Sequence, residues 1–530
     1  MFKHGKKEHQ KSLFDLDIIG PSSMTDRLQR TWAESYYQTV FLNINEDRFS
    51  ILYSNKLSRP NKPVNILVSL LILKEINDLT DEELIDSYYF DYRFQHALGI
   101  SDLSEEGLCI NTITNFRSRL VAYEAQTGID LLHEEMEALS NKLAEYMNLN
   151  KSMARMDSMM VASSCKKMSR LELVYTVIRN MVQLLNQTES VTVPDAFLKF
   201  LEDKHEKETL YRTKSDQAES KLDQLIKQAS DLFHFVQAET NVQASEAFGH
   251  LKRLLSEQCV QLEDGIFVAT EGKEIAPNSL QNPSDADATY RKKGGKDYVG
   301  YSLNLVEVHD QESGASLILN HAYESNSHSD AQYGETFMED HPLSDEIDTL
   351  SVDGAYYRTE TVAKAKEKEV EMNFSQLTGR SVKDDQIGVD QFKIGTETKQ
   401  IEQCPAGYNP VKTTYDKDKD VYTAKFDKTS CDNCPLRAQC PIQEQKKYNN
   451  VRFTGNKLQT DSVRSQFGTE RHKELSNYRA GVEGIPSVLR RVFHIDHIPV
   501  RGHVRSKIWV NAKVMALNFK MFWKHGLKVA

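Results

Sequence analysis

The chain has 530 residues, seven cysteines and a formal net charge of −11. That length allows several domains with separate cores. The odd cysteine count and the lack of an apolar leader argue against a secreted disulfide framework, and the longest apolar run, residues 64–73, is too short to span a bilayer. We therefore expect a soluble cytoplasmic protein with no membrane partner.

The charge is unevenly distributed along the chain. From Lys446 to Ala530, seventeen Lys or Arg stand against five acids, a net charge of +12, which leaves −23 on the preceding residues. This asymmetry predicts a basic face at the carboxyl end, of the kind that contacts DNA phosphates. Scattered solvated charge is the alternative.

Residues up to about 150 have helical patterning. Leu132, Met136, Leu139 and Leu143 form one stripe between Gly128 and Met147, and Thr80-Asp-Glu-Glu83 has the form of a capping box. A short helix is predicted at Asn111–Leu120, where Arg117 and Arg119 could equally contact DNA or lie on a solvated face.

Alternating strands and helices follow. The predicted elements are a buried strand Met153–Val161, a helical insertion from Cys165 to about Glu274, hairpin strands Tyr298–Leu305 and Ala315–Tyr323, a helix His328–Asp340, a strand Ile347–Asp353, a helix Thr359–Lys368 and a strand Val370–Phe374. Regular patterning lapses between Ser375 and Gly455. A long helical segment from about Thr469 carries Glu483, and an amphipathic helix is predicted at Lys507–Lys524.

Two acids occupy unusual places in this pattern. Asp157 lies within an apolar strand, and Asp353 ends another in the sequence LSVDGAYY. A buried carboxylate needs a partner or a cation, and neighbouring carboxylates select Mg2+ or Mn2+. With Glu483 they would hold two ions for phosphodiester chemistry. A strand-end Asp is also a common turn or cap residue, which is the alternative for Asp353.

Four stretches carry a family resemblance: ARMDSMMVAS, SDADATYRKKGGKDYVGYSLNLVE, SVDGAYY and YRAGVEGIPSVLRR. From about Asn55 to the carboxyl end the chain resembles the DDE-type bacterial insertion-sequence transposases, in the branch with a helical amino-terminal domain and a cysteine-rich insertion. The resemblance implies that Asp157, Asp353 and Glu483 chelate two Mg2+ or Mn2+ ions. It also implies cleavage at the ends of a mobile element, and then attack of the freed 3′ hydroxyl on target DNA.

The resemblance also implies partners and contacts. Double-stranded DNA is expected, both as terminal inverted repeats and as target, with a homodimer on DNA near the nucleoid. Around Glu483 the family pattern places Arg479 and Arg490 near phosphates, with Arg490 at a position that usually holds Lys. The expected Tyr position holds Ser476, and Tyr478 lies two residues further along the chain. Pro486 predicts a kink or a helix restart.

The fold class is therefore α/β, an RNase H-like mixed sheet flanked by helices. The expected domains are a helical DNA-binding or dimerisation domain at 1–150, the catalytic core at 151–164, 280–374 and 456–500, a helical insertion at 165–279, a cysteine-rich insertion at 375–455 and a basic carboxyl-terminal helix at 501–530.

A cysteine cluster lies in the cysteine-rich insertion. Its members, listed in chain order, are Cys404, Cys431, Cys434 and Cys440. Four thiolates in a polar segment suit a structural Zn2+, and the resemblance to this branch favours zinc over free thiols.

Basic residues supply the DNA-contact hypotheses. Arg291-Lys-Lys-Gly-Gly-Lys296 predicts a flexible basic loop, whose Lys292, Lys293 and Lys296 grip a phosphate or are merely solvated. In the tail, the candidates for backbone contact are Arg490, Arg491, Arg501, Arg505, Lys507 and Lys513. Two alternatives to an active transposase remain, an inactive transposase-derived DNA-binding protein and a nuclease on the same core.

Overall fold

A computed structural model describes residues 2–5, 22–54, 56, 60–100, 107–211, 214–263, 265–377, 379, 386–395 and 398–529. None of the helices in these ranges combines the length and the apolar content needed to cross a membrane. Asn55, where the family resemblance was expected to begin, lies outside the described residues.

Helices dominate the amino-terminal region. They are α1 (Ser22–Leu28), α2 (Trp32–Thr39), α3 (Val64–Asn77), α4 (Asp81–Phe90), α5 (Tyr92–Ala97), α6 (Ile110–Thr127) and α7 (Leu131–Tyr146). The apolar run noted above forms α3, which is buried along nearly its whole length. The capping box at Thr80 is confirmed, with both reciprocal hydrogen bonds present. The prediction of a short helix at 111–120 is wrong, because α6 continues until Gly128 ends it in the left-handed conformation.

A mixed sheet follows. Its strands are β1 (Met153–Ala162), β4 (Thr289–Lys293), β5 (Lys296–His309), β6 (Ser316–Ser325), β7 (Thr349–Val352) and β8 (Glu371–Phe374). The strand order is β4-β5-β1-β7-β8, with β6 also paired to β5. The pairings of β5 are antiparallel, whereas β1, β7 and β8 run parallel. Helices α13 (Asp330–Asp340) and α14 (Thr359–Glu367) complete this α/β unit, which is consistent with an RNase H-like core.

The basic segment before the predicted hairpin is part of the sheet. Arg291 and Lys293 lie in β4, and Lys296 begins β5, so Gly294 and Gly295 form the turn between two paired strands. Both glycines have positive φ, 58° and 75°, as a tight two-residue hairpin turn requires. The expectation of a flexible basic loop is therefore wrong, because the Gly-Gly pair closes a hairpin.

Residues between β1 and β4 form a separate helical unit. It contains α8 (Arg170–Gln187), α9 (Asp195–Leu198), α10 (Asp203–Glu206), α11 (Ala218–Gln237), α12 (Glu246–Gln258) and the two-stranded sheet β2 (Cys259–Gln261) and β3 (Phe267–Ala269). Its buried apolar side chains form their own cluster, apart from the one that joins the amino-terminal helices to the main sheet.

The cysteine-rich segment has regular structure. Its elements are β9 (Lys393–Ile394), β10 (Ile401–Gln403), β11 (Lys412–Asp416), β12 (Val421–Phe426), α15 (Lys428–Asp432), β13 (Gln443–Glu444) and β14 (Asn449–Thr454). The last four strands form one sheet in the order β11-β12-β14-β13. Cys431 is buried in a small apolar cluster of this sheet, and Cys404 and Cys440 pack against it.

The remaining helices return to the main sheet. They are α16 (Gly455–Ser465), α17 (Glu470–Ala480), α18 (Gly484–Arg491) and α19 (His503–Val529). Helix α19 contacts α3, α7 and β6, and most of its residues from Ile508 to Phe519 are buried. It begins before and ends after the predicted 507–524 helix, and it is a central core helix instead of a separate basic surface element.

Candidate active site

Asp157 lies in the middle of β1, opposite Leu305 of β5. Side chains alternate along a strand, so Arg155 and Asp157 share one face while Ser158 points to the other. Burial raises the pKa of Asp157 above its usual range; Arg479 opposes this rise, and nearby Asp353 adds to it. The predicted buried strand with a single acid is therefore confirmed. The Asp157 carboxylate lies close enough to Arg479 and Asp353 for both charges to affect its pKa.

Asp353 follows β7, the strand parallel to β1. Its Oδ1 accepts a 2.6 Å hydrogen bond from the backbone N–H of Ala355 and caps a 3-10 turn, Gly354–Tyr356. The cap alternative therefore describes one oxygen, while the other, Oδ2, faces Arg479. A Cβ at position 354 would lie 1.9 Å from the carbonyl oxygen of Gln376, so the close backbone approach beside Asp353 requires glycine.

Glu483 lies at the junction of two helices. The long helical segment expected here is interrupted, because a 3-10 turn, Gly481–Glu483, separates α17 from α18. The restart predicted from Pro486 is confirmed: the proline is in the first turn of α18, where its missing N–H breaks no helical hydrogen bond. The Glu483 side chain is 65% exposed, compared with 17% for Asp157.

The three acids converge on one guanidinium group. Nη2 of Arg479 lies 3.6 Å from Oδ1 of Asp157 and 4.0 Å from Oδ2 of Asp353. Its Nη1 lies 3.4 Å from Oε1 of Glu483. Elements separated by more than a hundred residues therefore bring the three predicted acids to a single positive charge.

Arg155 fastens the Glu483 segment to the sheet. Its Nε lies 2.5 Å from Oε2 of Glu307, and its Nη1 donates a 2.7 Å hydrogen bond to the carbonyl oxygen of Tyr478. A Cβ at Gly481 would lie 2.0 Å from Nη1 of Arg155, so a larger residue here would push the guanidinium away from its hydrogen bonds. Sequence reasoning missed this residue, although an arginine two positions before Asp157 on a buried strand must have a partner.

Tyr478 is a structural residue of this junction. Its hydroxyl donates to the carbonyl oxygens of Met153 (2.8 Å) and His309 (3.2 Å). The ring is stacked under Arg155, 5.1 Å from its guanidinium carbon. Tyr478 therefore holds α17 on β1, and Ser476, at the family's Tyr position, only approaches His472, at 3.5 Å.

The basic hairpin of β4 and β5 lies near Asp157. Lys293 is one of the charges that oppose the burial-driven rise in the pKa of Asp157. Lys293 and Arg291 also approach buried Asp330, at 3.9 and 3.4 Å, and Asp330 accepts a hydrogen bond from Ser158, next to Asp157. Lys292 and Lys296 are exposed near the same turn. The hairpin is thus tied to the strand that carries Asp157.

The basic tail is not one continuous exposed face. Lys507 pairs with Glu124 at 2.7 Å, and buried Lys513 pairs with Glu75. Arg490 bonds Asp496 and the carbonyl oxygen of Met160 while remaining exposed. Among the candidates for backbone contact, Arg490, Arg491, Arg501 and Arg505 are exposed. The expectation that Lys507 and Lys513 lie on a binding face is wrong, because packing of α19 directs them to acids of the amino-terminal helices.

Arg117 and Arg119 also contact other side chains of the protein. Arg117 is buried, forms two hydrogen bonds with Asp81 and covers the ring of Trp509. Arg119 lies over the ring of Tyr53. Neither of the two roles considered for Arg117 from the sequence therefore fits its packing. A cavity of about 770 Å³ lies beside it, between the amino-terminal helices and α19, and none of the three acids lines it.

The four clustered cysteines lie near one another. Burial raises the pKa of the Cys440 thiol to about 11, and the charges of Cys404, Cys431 and Cys434 add to this rise. Three of them lie in two tight turns. The backbone N–H of Gly407 donates to the carbonyl oxygen of Cys404 (2.9 Å), and the backbone N–H of Cys434 donates to the carbonyl oxygen of Cys431 (3.2 Å).

The donor chemistry of both sets suits metals. Hard carboxylate oxygens around one positive group suit Mg2+ or Mn2+, and four neighbouring thiols suit Zn2+. As positioned in the described ranges, however, no three His, Cys, Asp or Glu side chains are spaced as ligands of one ion. At the acids, the Arg479 guanidinium lies between the carboxylates.

Two family models match the chain. One, described as a transposase DDE domain, matches residues 403–523, which include the cysteine cluster, Arg479 and Glu483 but neither aspartate. The other, described as a transposase domain (DUF772), matches residues 33–119 in the amino-terminal helices. Searches of curated proteins and of solved structures found no match.

Proposed function

Because this chain belongs to the DDE-type insertion-sequence transposases, we propose that it cuts DNA at the ends of a mobile element and joins the freed 3′ hydroxyl to target DNA. Asp157, Asp353 and Glu483 hold two divalent ions, Mg2+ or Mn2+. The observation that carries this proposal is the convergence of the three acids, from β1, β7 and the turn after α17, on one guanidinium.

When bound, such ions would supply activation of the attacking oxygen and stabilisation of the leaving oxygen. The protein fold holds the three carboxylates in place. Asp157 lies on β1 and Asp353 directly follows β7, the neighbouring parallel strand, so a buried sheet holds both donor groups more rigidly than long loops would. Glu483 is exposed on a short turn and can adjust as the third donor.

The phosphate contacts come from cations around the acids. The charge of Lys293 acts on Asp157, and Lys292 and Lys296 are exposed on the same hairpin. We assign phosphate contacts to these three lysines and to Arg490, Arg491, Arg501 and Arg505. These side chains combine exposure with positive charge, which suits contact with the DNA backbone. Two element ends would engage two copies of the chain, and the amino-terminal domain would serve DNA binding or dimerisation.

The cysteine cluster holds one structural Zn2+ in this proposal. The proximity of the thiols supports it, because the charges of the other cysteines act on Cys431 and Cys440. Cys404, Cys431, Cys434 and Cys440 would be the ligands, and bound zinc would order the turns between β10 and β13.

The test is cleavage of a labelled duplex that carries the terminal inverted repeat read from the DNA flanking the gene. We expect Asp157→Asn, Asp353→Asn and Glu483→Gln each to abolish Mg2+-dependent cleavage and to leave gel-shift binding unchanged. The matched control is Asp345→Asn, an exposed acid paired with Lys368 away from the site. Full cleavage by Asp157→Asn would refute the assignment.

The products separate the proposal from its alternatives. An active transposase joins the cleaved 3′ end to a supercoiled target plasmid. A nuclease on the same core would cut without joining, and an inactive DNA-binding derivative would shift the duplex without metal-dependent cutting.

A further inference from the structure

Arg479 occupies a central place among the acids. Its side chain is only 12% exposed, and its Nε is buried without a hydrogen-bond partner among the described residues. The Nη atoms reach all three carboxylates at 3.4 to 4.0 Å. Charge-assisted hydrogen bonds are normally about 2.7–2.9 Å long, so this guanidinium balances the acids without being locked to any of them.

Arg479 and divalent ions compete for the three acids, because like charges repel each other at these distances. Carboxylate oxygens bind Mg2+ at about 2.1 Å, so an ion shared by Asp157 and Asp353 must lie between them. Nη2 of Arg479 lies within 4.0 Å of both carboxylates. Binding of the ions therefore requires the guanidinium to move away from the two aspartates.

We propose that Arg479 is the stand-in cation of the metal-free site: it holds the three acids together until divalent ions displace it. This inference rests on the proposed function, because it takes the acids to be metal ligands. Without a cation, three converging carboxylates repel one another, and Asp157 is too buried for water to screen it fully. Arg479 is thus a positioning residue that competes with the metal.

The same contacts indicate what displacement does. Arg479 and Glu483 are four residues apart, with the turn after α17 between them. Once the ions neutralise the acids, the carboxylates no longer attract the guanidinium. Glu483 is the most exposed of the three acids, at 65% compared with 31% for Asp353 and 17% for Asp157, so the guanidinium can move outward on that side. Loading of the site with metal therefore releases a positive charge to the surface where the substrate phosphates would lie.

The test measures Mn2+ binding to the full chain without DNA, by electron paramagnetic resonance, together with thermal unfolding. Arg479→Gln removes the competing charge, so it should bind Mn2+ about ten- to a hundredfold more tightly than the wild type. Its metal-free form should melt at a lower temperature, and Mn2+ should restore more of that temperature than it does in the wild type. Arg479→Lys keeps a charge of one and should fall between the two.

Arg471→Gln is the matched control, because Arg471 lies on the same helix but pairs with Glu371 and Glu474. It should leave Mn2+ affinity at the wild-type value. An Arg479→Gln affinity equal to or weaker than the wild type's overturns the stand-in role, while wild-type binding that disappears in Asp157→Asn still supports the proposed function. Absence of Mn2+ binding in wild type and Arg479→Gln alike overturns both.

Discussion

Nη1 of Arg155 donates a 2.7 Å hydrogen bond to the carbonyl oxygen of Tyr478, which joins the first strand of the sheet to the helix that precedes Glu483. The same arginine forms a buried ion pair with Glu307 of β5, so one side chain connects two strands and the late helix. Asp157 lies two residues beyond Arg155, and Arg479 one residue beyond Tyr478. The position of the acids relative to Arg479 therefore depends on this buried connection.

Replacing Arg155 by Met tests the energetic weight of that connection. The change leaves Glu307 buried with no ionic partner, and breaking a buried pair in this way costs about 3–5 kcal/mol. We expect that loss in the free energy of unfolding measured in urea. The double variant Arg155→Met/Glu307→Leu removes both charges and should recover most of it. A loss below about 1 kcal/mol in the single variant would contradict the assigned role.

Gly354→Ala tests the placement of Asp353. The added Cβ would lie 1.9 Å from the carbonyl oxygen of Gln376, so the turn must shift and carry the carboxylate with it. A displacement of about 1 Å costs roughly a hundredfold in rate, and we expect at least that loss in Mg2+-dependent cleavage. Gly484→Ala, beside Glu483, is the control, since its Cβ would meet no described atom within 4 Å. Equal rates for the two variants would show that the turn does not set the site.

Lys293→Gln and Lys507→Gln compare a lysine that is exposed for DNA contact with one that is held in an internal ion pair. Lys293, on the exposed hairpin, should contribute one phosphate contact, so its loss should reduce the slope of log affinity against log salt by about 0.9. Lys507 is paired with Glu124, which is largely buried. Its replacement should leave the salt slope unchanged and reduce the free energy of unfolding by about 1–3 kcal/mol. Fluorescence anisotropy with a duplex and urea unfolding measure the two effects, and the reverse pattern would refute the assignment.

The cysteine cluster predicts metal content. Purified protein should contain one zinc per chain by elemental analysis, and Cys434→Ser should lose it. Cys109→Ser, outside the cluster and able to keep its contact with Thr112, should retain the wild-type zinc content. Chelation should speed hydrogen exchange in β12 and β14, because the turns that carry the ligands flank that sheet. Metal-free wild type with unchanged exchange would favour free thiols.

Local patterns predicted the elements that carry the site. Apolar residues without helical spacing marked the strand around Asp157, and alternation over two residues marked β5 of the hairpin. The capping signal at Thr80 and the stripe of Leu132, Met136 and Leu139 marked helices. These signals are accessible to sequence reasoning because strand and helix periods, and caps, involve neighbours within four positions. The order of those elements, together with the family resemblance of the flanking motifs, led to the proposal of Asp157, Asp353 and Glu483 as the metal ligands.

The partners of the charged side chains were decided only by the tertiary structure. Lys507 and Lys513 belong to a basic tail in the sequence, yet they pair with Glu124 and Glu75 because α19 packs into the core. Arg479 likewise meets Asp157 across more than three hundred residues. A charge has the same sequence signature on the surface and in a buried pair, whereas its free energy depends on the packing that removes water and brings the opposite charge near. Composition and order therefore determined which chemistry we propose for the chain, and packing determined which charges remain available for it.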